Sequence, residues 1–337
     1  MDLVLLIAIL LSAFLALNIG ANNSAASMAT AYGAGVRTKR EATVMIAIFA
    51  VLGALLAGAP VVKTLGNGLI PSTIFSAHVG LVLVIFVIAV LFVSWANIAR
   101  VPVATTHAIV CAIVGVGLYS KSLNGEKFFE IVVWWVITPL VALVLNYLIA
   151  KYLYLKTLQF LTGRFSEGSI NKILSILITI SGVFVAFSAG ANNSANSVGP
   201  LVGLGLMNAN VGAVMAGVAM GVGAMLLGGR VLDSVGKEIT EICILRAISV
   251  EFIGAAIILV ASIFGVPVSL AEIVTSGIIG FSLAQQGFAE TAQNRHVVRI
   301  AFFWFVIPFV AVAMGYLLSS LYFNYNVSAL IISNFGF

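Results

Sequence analysis

Asn22, Asn23 and Ser24 stand in the stretch GANNSAAS, and Asn192, Asn193 and Ser194 in GANNSANS, each set in chain made mostly of Leu, Ile, Val and Ala. Amide and hydroxyl side chains are short neutral donors and acceptors. Buried among apolar neighbours they cost free energy unless they find partners. Gly20 and Gly190 open the two motifs, and glycine can release a backbone from helical geometry. A new helix starting near Ser24 would leave its first amide N–H groups unpaired. With the positive end of the helix dipole, those amides make an anion site. The competing reading is that Gly, Ala and Ser mark close packing of membrane helices. One copy of the motif favours packing; two copies in matched positions, each with consecutive Asn, favour a ligand site.

A second pair of polar stretches follows proline. PVATTH brings Pro102, Thr105, Thr106 and His107 together, and PVSLAE places Pro267, Ser269 and Glu272 equivalently. Proline followed by hydroxyls suits a helix start, although threonine hydroxyls also bond back to helix carbonyls. His107 reads first as a hydrogen-bonded neutral group and second as a proton carrier. Lys63 and Asp233 occupy the same place in the two halves of the chain. Charge inside a membrane is usually paired or functional, so a structural Lys63–Asp233 bridge is expected ahead of direct contact between Lys63 and an anion.

The elements that must position these residues belong in a bilayer. At 62% hydrophobic and 8% charged residues, with mean hydropathy +1.19, the 337-residue chain has too little polar surface to cover a soluble globule. Apolar runs long enough to span, at about 20 residues or slightly fewer, fall at 3–19, 42–58, 75–99, 102–119 and 128–150, then at 172–189, 210–227, 246–264, 267–283 and 300–320. The first run follows Met1 and Asp2 with no basic segment before it, and reads as a retained span. Cys111 and Cys243 lie in apolar surroundings and read as small buried hydrophobes. The net charge of +5 resides largely in the connections between spans, where it signals orientation and does not argue for nucleic acid.

The chain is written twice. Sliding it by 170 positions lays Gly20 to Ala25 on Gly190 to Ala195, and GALLAGAPVVKTLG from Gly53 on GAMLLGGRVLDSVG from Gly223. At 165 positions VPVATTHAIVCAIVG from Val101 meets VPVSLAEIVTSGIIG from Val266, and at 169 WWVITPLVA from Trp134 meets FWFVIPFVA from Phe303. Five spans per copy force the second copy to lie upside down. Loop charge agrees: Arg37, Lys39 and Arg40 have neutral counterparts in Met207 to Asn210, and Lys151, Lys156, Arg164 and Lys172 have none in the tail Tyr322 to Phe337. The basic connections are then cytoplasmic and both termini outside. The expected architecture is all-α integral membrane, in the cell (inner) membrane, with about ten full spans plus half-helices. Two inverted-topology repeats, 1–160 and 172–337, flank a cytoplasmic linker at 161–171, and their broken helices meet at the midplane. Inverted repeats with interrupted helices are the build of many secondary transporters.

At these motifs the sequence resembles the inorganic phosphate transporter family, the PiT permeases, whose two repeats carry a GANDVAN-like and a PVSTTH-like motif. The resemblance covers essentially the whole chain, including GNGLIP from Gly66 and NSVGPLVG from Asn196. It implies secondary active import of phosphate by alternating access, driven by Na+ or H+. Asn22, Asn23, Ser24, Asn192, Asn193 and Ser194 would line the site, joined by Thr105, Thr106 and Ser269. Asn22, Asn23, Asn192 and Asn193 would be the candidate Na+ ligands; no other cofactor is implied. Three departures stand out: Asn23 and Asn193 where the family usually has Asp, Lys63 where eukaryotic members tend to have Glu, and PVSLAE without the Thr-His ending. Fewer carboxylates weaken a cation site and repel an anion less, a pattern similar to the family's sulfate-permease branch. Phosphate stands first as substrate, sulfate as the alternative, and an anion channel as a remote one. Na+ is the favoured coupling ion. Glu272 and His107 are the candidates for H+, with Glu251 third. His78, His107 and His296 are scattered and no nucleophile motif is present, so no enzyme is expected. A homo-oligomer is compatible with Trp95, Trp134, Trp135 and Trp304, which also suit membrane interfaces.

Overall fold

A computed structural model describes residues 3–99, 104–236, 244–288, 291 and 295–335; Pro102 and Cys243 lie outside these. The described residues form helices and connecting turns, with no strand among them. The first half runs α1 (Leu3–Gly33), α2 (Lys39–Ala57), α3 (Ala59–Lys63), a π-helical turn (Thr64–Gly68), α4 (Ser72–Ala77), α5 (Val79–Ala99), α6 (Thr105–Tyr119) and α7 (Gly125–Leu148). A second π turn (Ile149–Leu153) leads into α8 (Tyr154–Arg164). The second half runs α9 (Glu167–Gly203), α10 (Ala209–Gly223), a π turn (Ala224–Gly228), α11 (Gly229–Gly236), α12 (Ile244–Ile263), α13 (Leu270–Gln286) and α14 (Arg295–Phe335).

Local sequence explains the helix ends. Thr38 and Glu41 form a reciprocal capping box at the start of α2, and Asn124, Ser166 and Asn208 cap α7, α9 and α10 by accepting a backbone N–H. Gly35 and Gly205, at φ +69° and +75°, make the same left-handed turn after α1 and after α9. Among the described residues, seven helical stretches are long and apolar enough to cross a membrane: α1, α2, α7 with α8, α9, α10 with α11, α12, and Trp304–Tyr325 of α14. The runs expected at 75–99, 102–119 and 267–283 fall on α5, α6 and α13, outside those seven. Leu56 and Leu226 are each 71% exposed, and Phe305 72%, a surface suited to lipid.

One expectation fails. Helices α1 and α9 run unbroken through Gly20 and Gly190, so no helix restarts at Ser24 or Ser194. The glycines act instead in packing. A methyl group at Gly20 would overlap the carbonyl oxygen of Met220 on α10, and one at Gly190 that of Ala50 on α2. Gly53 meets the carbonyl of Phe187 in the same way, and Gly223 that of Leu17. Each contact recurs with one partner advanced by 170 positions and the other moved back by 170. Among the described residues, a non-helical stretch at 266–269 precedes α13.

Gly53→Ala and Gly223→Ala should each cost about 1–3 kcal/mol through overpacking, read as a lower melting temperature in detergent. Gly163→Ala and Gly168→Ala, where an added methyl meets nothing within 4 Å, should leave the melting temperature unchanged or slightly raised. Equal behaviour of the two sets would deny the backbone contact.

Candidate functional site

Helices α1 and α9 bring the two Asn motifs face to face. The Asn193 amide donates to Asn23 Oδ1 at 3.2 Å, both side chains buried. Asn192 makes a different set of bonds. Its Nδ2 donates to Ser262 Oγ at 2.9 Å and to the Val266 carbonyl at 3.0 Å, and its Oδ1 accepts the Val268 N–H at 3.0 Å. This one amide holds the extended stretch ahead of α13. Thr64 Oγ1 donates to the Gly265 carbonyl at 2.6 Å and Trp135 Nε1 to the Pro267 carbonyl at 2.8 Å, so the same stretch is also pinned from the first half.

The starts of α6 and α13 meet there. Thr106 donates its hydroxyl to the Val268 carbonyl at 3.0 Å and accepts from the Asn196 amide at 3.1 Å. Ser269 caps α13, accepting the Glu272 N–H at 3.3 Å, whereas α6 begins at Ala104 with no side-chain cap. In the next residue along α6, His107 Nδ1 lies 3.1 Å from Glu272 Oε1, and the imidazole lies against the Trp135 indole with ring centroids 3.8 Å apart. The pair touches without the alignment of a hydrogen bond, and neither ring nitrogen of His107 has a hydrogen-bond partner. The neutral hydrogen-bonded histidine expected from sequence is therefore replaced by a buried acid–base contact.

Several buried polar atoms have no partner among the described residues: Asn23 Nδ2, Ser194 Oγ, Ser188 Oγ and Asn196 Oδ1. Native interiors rarely leave such groups unsatisfied, and those that remain point to water or ligand. Ser24 differs from its counterpart, because its hydroxyl bonds back to the Gly20 carbonyl at 3.2 Å. Ser24 also lies against Gly228, as Ser194 lies against Gly58. Asn22 and Thr105 are half-buried. Of the four candidate Na+ ligands, Asn192 and Asn23 already commit their carbonyl oxygens to protein donors. Among the described residues no group of three or more His, Cys, Asp or Glu could hold a metal ion.

The Lys63–Asp233 bridge is not formed. Asp233 pairs with Lys39 at 2.5 Å and accepts from the Tyr32 hydroxyl at 2.7 Å, while Lys63 ends α3 with its side chain exposed and enters no ion pair among the described residues. Glu251 is buried on α12 and accepts from Ser181 Oγ at 2.5 Å. Sequence reasoning missed Asn196, Ser262 and Trp135. Asn196 carried a usable signal, since it lies four residues after Asn192 and shares its helix face.

An apolar outer face around a buried core of amides and hydroxyls defines a polytopic membrane protein with a polar centre. The chain belongs to the phosphate transporter family, whose model matches residues 19–315. It is 38% identical to the sulfate permease CysP of Bacillus subtilis, over 94% of this chain and 88% of that protein. A putative phosphate permease of Pyrococcus furiosus is 29% identical over 95% of this chain and 97% of its own length. A solved sodium-dependent phosphate transporter, 23% identical, has the same fold at a TM-score of 0.80, covering 95% of this chain and 99% of that one.

Asn192→Ala would leave the Val268 N–H and the Val266 carbonyl unpaired in the interior, at about 1–3 kcal/mol for each such group. A clear drop in melting temperature is expected. Asp233→Asn breaks only a half-exposed pair, with side-chain exposures of 46% and 38%, and should cost under about 1 kcal/mol. Thermal unfolding of the two variants side by side checks the ranking.

Proposed function

We propose that this chain is a secondary active permease that imports a tetrahedral inorganic oxyanion across the cell membrane, with sulfate ahead of phosphate. Repeats 1–160 and 172–337, joined by the linker 161–171, are read as inverted copies with both termini outside, alternating access around the α1–α9 contact. The observation that carries the reading is the buried Asn23–Asn193 pair, which puts amides at the centre of the molecule and leaves Asn23 Nδ2 and, next in chain, Ser194 Oγ without partners. Unpartnered donors in a dry interior suit an anion that only accepts hydrogen bonds.

Chemistry separates the two oxyanions. Phosphate near neutral pH still carries protons and can donate to a carboxylate; sulfate carries none and is repelled by one. Amides at positions 23 and 193 therefore favour sulfate over phosphate. The 38% identity to a protein named as a sulfate permease supports the same order. The fold likeness to a sodium-dependent phosphate transporter and the family itself support the second reading, phosphate driven by Na+.

Uptake of labelled sulfate and labelled phosphate into proteoliposomes, each competed by the other, tests the reading. Saturable sulfate uptake that a tenfold excess of phosphate barely lowers is expected. Placing Asp at both position 23 and position 193 should lower sulfate uptake by about tenfold or more, since one added charge about 4 Å from another costs on the order of 4 kcal/mol at an effective dielectric of about 20. Phosphate uptake should fall less. Unchanged sulfate uptake in the double variant would remove the Asn pair from the anion site.

A further inference from the structure

We propose that His107 and Glu272 together form the site that carries a proton with the anion, so that the driving ion is H+. This deepens the permease reading and rests on it.

The pair sits where such a site is needed. His107 and Glu272 occupy the same register in the two halves, in VPVATTH and VPVSLAE, and they meet at 3.1 Å as Asn23 and Asn193 meet. Their side chains are only 6% and 4% exposed. Thr106, beside His107, bonds to Asn196 and to the Val268 carbonyl, and Asn192 holds Val268. The pair thus joins the hydrogen-bonded frame that links α6, α9 and the start of α13.

Among the described residues no cation other than His107 lies in an ion-pair contact with Glu272. On α6 the nearest further titratable group is the buried Cys111 thiol, one turn beyond His107. On α7 the contact is the Trp135 ring, while Lys127 and Glu130 pair with each other. On α9 the neighbours are the neutral amides Asn192 and Asn196. On α12 Glu251 bonds to Ser181, and Arg246 donates to the Ile278 carbonyl and Ser282. Helix α5 has no ionisable residue from Val79 to Ala99, Tyr316 of α14 packs on Tyr119, and Lys63 is exposed. Among the described residues, the charge beside Glu272 is therefore set by the pair.

Without a bound proton the pair carries one negative charge; with one, on either the imidazole or the carboxyl, it is neutral. A buried net charge beside a dianion is strongly disfavoured, and a neutral pair is not. Proton and anion consequently favour each other's binding, and by linkage the loss of either weakens the hold on the other. The proton is taken up by the pair on the outer side and lost to water on the inner side, with no other bond made or broken. The carbonyl oxygens of Asn23 and Asn192 each already accept one protein hydrogen bond, from Asn193 and Val268.

The full-length protein in proteoliposomes with a trapped pH indicator provides the test. In sodium-free buffer, sulfate uptake driven by an acidic exterior should acidify the lumen. Glu272→Gln should lower that gradient-driven uptake about tenfold more than it lowers exchange of labelled for unlabelled sulfate at equal concentrations, because exchange needs no net proton movement. The affinity for sulfate should weaken as pH rises in the original protein and lose that dependence in the variant. His107→Glu combined with Glu272→His keeps both groups and should retain lumen acidification, which guards against reading a folding defect as loss of coupling. Proton-driven uptake that survives Glu272→Gln overturns the proposal, as does sulfate uptake that requires Na+ and leaves the lumen pH unchanged; the permease reading survives both results. No uptake of sulfate or phosphate under either gradient overturns the permease reading, and the proposal with it.

Discussion

Helices from the two halves touch backbone to backbone at Gly20, Gly53, Gly190 and Gly223, where no side chain separates them. In a bilayer, lipid tails are as apolar as the helix surfaces, so burial of apolar area does not drive helices together. Close packing and interhelical hydrogen bonds must do so. The glycine contacts supply the first by letting α1 lie on α10 and α9 on α2 without a Cβ between them. That approach brings Asn23 within 3.2 Å of Asn193 and fixes the centre of the molecule as a place reached only by short side chains.

The polar groups around this centre divide by whether their bonds are already made. Asn192, Thr64, Thr106 and Trp135 spend their donors on the carbonyls of residues 265–268 or on Ser262, and so hold a stretch of backbone that no helix supports. Fully satisfied, they form a frame and have little to offer a ligand. Asn23, Ser194, Asn196 and His107 each keep a buried atom without a partner.

The repeat was legible in the sequence because a backbone contact made twice demands glycine twice, at the same offset. The break expected at Gly20 was not, because a glycine that ends a helix and a glycine that admits a neighbouring helix look identical along one chain; only the carbonyl of Met220 distinguishes them. Proline gave a truer signal, since α13 does begin shortly after Pro267. The register that matched Lys63 with Asp233 was sound, yet the two residues do not pair. Equivalent positions in two copies need not touch. Asn23 meets Asn193 and His107 meets Glu272, whereas Asp233 finds Lys39 and Tyr32 instead. Sequence offset reports equivalence, and packing decides contact.

Contact between equivalent positions also bears on where the two halves differ. Two equivalent residues in contact must be mutually compatible. Asn with Asn satisfies this, because an amide is both donor and acceptor. Two carboxylates there would repel unless they shared a proton, and two protonated imidazoles would repel likewise. His107 opposite Glu272 resolves the conflict by making the halves unlike at that one contact. Elsewhere the halves diverge without such a rule: Asn196 bonds Thr106 from α9, while the matching position on α1 is Ala26. On the permease reading, the glycine contacts are nearly equal on the two sides and tolerate the halves exchanging their openings. The unlike pair and the one-sided amide are then the groups that make inward and outward states differ in energy, and so the groups through which an ion gradient can act.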